Sequence, residues 1–128
     1  CGTGHSVSFV GNVHEGPHAL NGRNTVVFQP GMIVTDEPGV YEGGQVGIRI
    51  ENELMCVHKA DNQYGTFLGF EPIMFVPIAT SPVVPGVLTR DELDWLNAYH
   101  REVFTKLAPH LTEEERDWLA KKCAAIGA

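Results

Sequence analysis

Along the first two-thirds of the chain, apolar residues come in short runs broken by glycine and proline, whereas the last third shows helical spacing. The run Thr25 to Phe28, "TVVF", is rich in β-branched residues and predicts a short strand, closed by a turn at Gln29-Pro30-Gly31. Met32 to Thr35 predicts a second strand. Gly47 to Val57 predicts a third, with Ile48, Ile50, Asn52 and Leu54 on one face and Arg49, Glu51 and Glu53 on the other. Between these two strands, "EGGQ" (Glu42 to Gln45) holds the glycines that a tight reversal needs, so a hairpin is expected. Phe67 to Ile78 is also extended, but Pro72 and Pro77 confine it to a sheet edge or to broken strands. After a proline-rich connector, Ser81 to Val87, a helix is predicted over Thr89 to His110. Thr89 is its N-cap, Glu92 completes a capping box, and Leu93, Leu96, Val103 and Leu107 fall near one face. Thr112 and Glu115 cap a second helix that runs to about Ala125. Trp95 and Trp118 read as core anchors between the two helices.

A chain of 128 residues can bury a real core, and one domain is the expected count. A net charge of -7 without a Lys/Arg block excludes a nucleic-acid partner, because phosphate binding is driven by clustered basic side chains. There is no long apolar run and no basic-then-apolar leader, so neither a membrane-spanning helix nor a signal peptide is expected. Three widely spaced cysteines form neither a disulfide framework nor a zinc pattern, which suits a reducing, cytoplasmic setting. Cys56, inside an apolar strand, reads as a small buried hydrophobe. The chain opens on "CGTGH" rather than on Met, and a fragment of a longer protein is expected.

The carboxylates give the first hint of chemistry. Glu37 and Glu51 lie symmetrically about Gly44, so a regular hairpin turning there sets them opposite each other. Like charges in that position repel. Either both are ordinary solvated carboxylates, or something positive lies between them: Arg49, on the strand face of Glu51, or a bound cation. The glycine-rich segment before the hairpin carries His5 and His14. Two imidazoles and two facing carboxylates make a mixed nitrogen and oxygen set suited to a divalent metal, and the glycines around His5 permit close approach of a substrate. His18, His58, His100 and His110 lack such company and read as surface or packing residues.

The stretches "GTGHSVSFVGNVHEGP", "PGMIVTDEPGVYEGGQVGIRIEN", "FEPIMFVPI" and "LTRDELDWLNAYH", in this order, closely resemble the C-terminal part of the pita-bread metallopeptidases. Among these the resemblance is to the Xaa-Pro aminopeptidases, in their long three-domain form. It implies an α+β fold: the C-terminal half of a pita-bread (creatinase/aminopeptidase) domain over residues 1–80, with a curved antiparallel sheet, then a helical C-terminal extension over residues 81–128. It further implies a dinuclear centre, usually manganese, whose ligands are two aspartates, a histidine and two glutamates. By matching motifs, His5, Glu37 and Glu51 fall on metal ligands, His14 on the substrate-binding and proton-shuttling histidine, and Arg49 on the arginine that supports the ligand carboxylates. The two aspartates of the family lie upstream of the "GTGH" motif. Cys1 stands where many relatives carry a further active-site histidine.

The implied reaction is metal-assisted hydrolysis of the bond before a proline in second position, with a proline-containing peptide as substrate and the isolated fragment inactive. Glu37 would help move the proton in this reaction, and His14 would steady the developing charge. A prolidase-type dipeptidase and a non-catalytic pita-bread binding module are the alternatives. A half-domain should also expose apolar surface, so a homodimer or an exchanged assembly is expected.

Overall fold

The hairpin expected about Gly44 forms. The computed structural model describes residues 4–84 and 86–127. Its strands are β1 (His5–Ser6), β2 (Glu15–Ala19), β3 (Ile33–Asp36), β4 (Gly39–Glu42), β5 (Val46–Arg49), β6 (Asn52–Asn62) and β7 (Gly65–Pro72). Ile33 faces Met55 and Asp36 faces Asn52 in the β3–β6 pair, while Gly39 faces Arg49 and Glu42 faces Val46 in the β4–β5 pair. Every one of these pairs is symmetric about Gly44, whose φ of +73° supplies the left-handed residue at the tip. Two pairings thus share one register.

The predicted third strand is nevertheless interrupted. Ile50 and Glu51 belong to neither β5 nor β6, and the residue opposite Ile50 is Pro38. Ile50 N–H still donates to the Pro38 carbonyl at 3.3 Å, but Pro38 has no N–H with which to return the bond. The ladder therefore breaks there, leaving β4–β5 as a two-stranded sheet and joining β6 to β3 in a five-stranded one of order β2-β1-β3-β6-β7. All pairings are antiparallel.

A second expectation is corrected. Thr25 to Phe28 is not a strand: the Asn24 side chain accepts from Val26 N–H at 3.0 Å and donates to Val26 C=O at 2.8 Å, taking both groups a ladder would use. The extended run from Phe67 lies at a sheet edge, as expected from its prolines, and is a strand as far as Pro72 at the end of β7.

The described residues fall into two compact units, Cys1–Met74 and Phe75–Ala128. In the first, Val34 and Cys56 are buried together with the polar Ser6, His18, Thr35 and Glu37. His18 is a packing residue, its Nε2 lying 2.7 Å from the Ile33 carbonyl oxygen. In the second unit, α1 (Arg90–Leu107) leads through a 3-10 turn to α2 (Glu113–Lys122), and both capping boxes are formed as predicted. Tyr99, Val103 and Leu119 make its core, with Phe75, Ile78 and Phe104 against them. The tryptophans are not the anchors. Trp95 and Trp118 are each 56% exposed, because the helix face that carries Leu93, Leu96, Tyr99 and Val103 leaves Trp95 to one side. Trp95 stacks on Tyr99 with ring centroids 5.8 Å apart, and Lys122 Nζ lies 5.7 Å from the Trp118 ring.

Candidate functional site

The turn into β1 sets the first candidate ligand. Gly4 has φ +73°, and a β-carbon there would lie 2.3 Å from Leu20 Cβ. Leu20 N–H donates to the Gly4 carbonyl at 2.8 Å. This glycine thus lets the chain's own backbone approach, where the sequence suggested a substrate. The next residue, His5, starts the strand that pairs with both β2 and β3.

His5 and Glu37 meet. His5 Nδ1 is 2.9 Å from the Ser6 carbonyl oxygen, which can only accept, so Nδ1 carries a hydrogen. That leaves Nε2 facing Glu37 Oε1 at 3.0 Å. An imidazole lone pair and a carboxylate oxygen attract at that distance only through something positive between them, a proton or a metal ion. Glu37 is 6% exposed, and a buried carboxylate without partners would cost several kcal/mol. Its partners are in place: Thr35 Oγ1 lies 3.1 Å from Oε1, and the guanidinium of Arg49 3.1 Å from Oε2.

Arg49 links the rest. The same nitrogen lies 4.0 Å from Glu51 Oε2, so the arginine bridges two carboxylates that the hairpin register places opposite each other. Arg49 Nε donates to the Tyr41 hydroxyl at 2.7 Å. That hydrogen bond, and then the charges of Glu37 and Glu51, raise the Arg49 pKa above its ordinary value, so the guanidinium is a permanent cation here. His14 completes the group from the exposed end of the loop before β2, its ring edge-on to that of His5 with centroids 4.6 Å apart. All five residues singled out from the sequence thus lie in one connected cluster. Cys1 lies outside the described residues.

Two members of the cluster were not anticipated. Tyr41 and Thr35 each reach a partner across a strand boundary, and the only signal for them was alternation, which puts Thr35 on the face of Glu37. Among the described residues, no three His, Cys, Asp or Glu side chains converge closely enough to form a metal site by themselves. The donor types nonetheless fit a divalent ion: one imidazole nitrogen set against a carboxylate, and a second carboxylate held nearby by a shared arginine. These residues fit such a centre as part of its ligand set.

Comparison with known proteins places this chain in a family. Residues 1–58 match metallopeptidase family M24, and residues 66–126 match the C-terminal region of peptidase M24. Aminopeptidase P1 of Lotus japonicus is 42% identical over 98% of this chain, and aminopeptidase P2 of Arabidopsis thaliana 47% identical over 92%. The chain spans about a fifth of the length of these relatives, 20% and 18% respectively. The crystal structure of X-prolyl aminopeptidase from Caenorhabditis elegans, described as a cytosolic enzyme with a di-nuclear active site, superimposes with a TM-score of 0.85 at 39% identity. The match covers 98% of this chain and 21% of that one, and it bears out the pita-bread α+β reading. The chain belongs to metallopeptidase family M24, and it corresponds to the C-terminal part of the family's Xaa-Pro aminopeptidases.

Proposed function

We propose that this chain works as the C-terminal part of the catalytic domain of a longer Xaa-Pro aminopeptidase, which removes the first residue from peptides with proline in second position. The observation that carries this reading is the convergence of His5 and Arg49, on β1 and β5, with Glu37 and Glu51, in the breaks between strands, onto one linked set of contacts. His5, Glu37 and Glu51 are assigned as metal ligands, to be completed by two aspartates from upstream sequence. A dinuclear divalent centre, manganese in this reading, would supply a water acidic enough to lose a proton at neutral pH and so become a nucleophile for an amide carbonyl.

The chain's own groups have separate tasks. Glu37 takes up and passes on the proton, on a carboxylate whose two oxygens are held apart by His5 on one side and Arg49 on the other. Arg49 holds both glutamates in place. His14, exposed and edge-on to His5, faces the substrate, where its imidazole steadies the developing charge and the leaving proline nitrogen, which takes the proton passed on by Glu37. The likeness to a cytosolic enzyme supports a cytoplasmic protein, and among the described residues no helix is long and apolar enough to cross a membrane. The exposed apolar side chains support a homodimer or an exchanged assembly of the isolated chain.

The test is a pair of assays on a fluorogenic Xaa-Pro peptide longer than two residues. Full-length protein supplied with Mn2+ is expected to cleave it, and chelator to abolish the cleavage. The 128-residue chain alone is expected to be inactive. Cleavage by the short chain, or of dipeptides only by the long one, would overturn the assignment.

A further inference from the structure

Thr35 is 2% exposed, yet it is neither a ligand candidate nor a hydrophobic core residue. Its hydroxyl lies 3.0 Å from the backbone nitrogen of His5 and 3.1 Å from Glu37 Oε1. The direction of both bonds follows from chemistry alone. A backbone N–H can only donate, so Oγ1 accepts from His5, and its single hydrogen is then free to be donated to the Glu37 carboxylate. One buried hydroxyl therefore ties His5 of β1 to Glu37, just past the end of β3, in one sense only.

β1 has two residues, and among the described residues its registered pairing with β3 is Ser6 with Val34. The Thr35 side chain supplies a second tie between the strands, one position nearer to Glu37. Resting on the function proposed above, we propose that Thr35 is a positioning residue for the metal centre. Its hydroxyl fixes the backbone of His5 and turns Glu37 Oε1 toward His5 Nε2, while Arg49 holds Oε2, so that the imidazole and the carboxylate face each other before any ion arrives. A preset pair of this kind binds an ion without first reorganising, and outer groups that orient ligands ordinarily contribute in that way.

The experiment uses full-length protein with Thr35→Val, which keeps the shape and removes the hydroxyl, and Thr35→Ser, which keeps the hydroxyl. Thr35→Ala stands in should the valine variant not fold. Affinity for Mn2+ is measured by calorimetry, and the visible absorption of the Co2+ form reports ligand geometry. Thr35→Val is expected to bind Mn2+ roughly 10- to 100-fold more weakly than wild type and to shift the Co2+ spectrum. Thr35→Ser should restore both. Wild-type affinity and spectrum in the variants lacking the hydroxyl would overturn the role of Thr35 alone, as would a serine variant as weak as the valine one. Failure of the wild-type protein to bind Mn2+ or Co2+ would overturn the metallopeptidase assignment itself.

Discussion

A β-carbon at Gly39 would lie 2.6 Å from the Tyr41 hydroxyl oxygen, and one at Gly47 would lie 3.1 Å from its ring. The aromatic side chain thus folds over two bare stretches of backbone to reach Arg49, whose guanidinium carbon is 5.8 Å from its ring centroid. Gly39 is the glycine of "EPG", and here its use is the space it leaves for a neighbour. Gly39→Ala is therefore expected to push the ring away, leave Arg49 Nε without its acceptor and loosen the hold on Glu37 and Glu51. In the full-length protein kcat/KM should fall while the far-UV circular dichroism spectrum stays unchanged. An unaltered kcat/KM would show that the Tyr41 contact is dispensable. At this scale the sequence was informative about charged groups and poor about their supporters. Glu37 and Glu51 follow from symmetry about one glycine and Arg49 from alternation with Glu51, whereas alternation puts Thr35 on the face of Glu37 but specifies neither its contacts nor that of Tyr41 with Arg49.

The helices were the most legible elements, since a capping box is written into a few adjacent residues and needs no distant partner. Both boxes form, Thr89 with Glu92 and Thr112 with Glu115. Thr89→Ala and Thr112→Ala should each cost about 1 kcal/mol. The two losses should add, because the boxes share no partner. Urea titrations followed by tryptophan fluorescence can measure this, as Trp95 and Trp118 both lie in these helices. The same readout carries a pH prediction. Bonds from the capping threonines hold the Glu92 and Glu115 carboxyls below their ordinary 4.5. Their contribution is whole above that value and fades as pH falls through the lower folded pKa values. Burial lowers the His100 pKa from its ordinary 6.5, and its Nε2 accepts the Ile78 N–H at 3.1 Å. The unfolded chain therefore takes up that proton first, and stability should fall as pH drops below about 6.5 and again below about 4.5. A flat profile between pH 7 and 5 would contradict the role given to His100. The elements that were misread fail for reasons that the apolar pattern does not carry. Thr25 to Phe28 lost its strand to a side chain just before it. The strand through Ile50 was cut by the proline across from it, and the tryptophans were displaced by better-placed residues on the same helices.

At the scale of the molecule, the first unit has few buried apolar residues and many exposed ones. Val34 and Cys56 are buried, while Phe9, Val10, Val40, Ile48, Tyr64 and Phe67 range from 47% to 103% exposed. Apolar surface of this extent favours association. Light scattering of the isolated chain is expected to give the mass of a dimer or larger assembly, and a monomeric mass would remove that expectation. The hairpin has a further consequence, for tolerance to changes in length. Because β3–β6 and β4–β5 keep one register about Gly44, the arm behaves as a ruler on which Glu37 and Glu51 are facing marks. A residue added or removed on one side between mark and tip would turn one glutamate to the opposite face of its strand and separate the pair. Residues added at the tip, around Gly43 to Gln45, would leave both marks where they are. Insertions compatible with function are thus confined to the tip, and within the arm the number of residues is as much a part of the site as their identity.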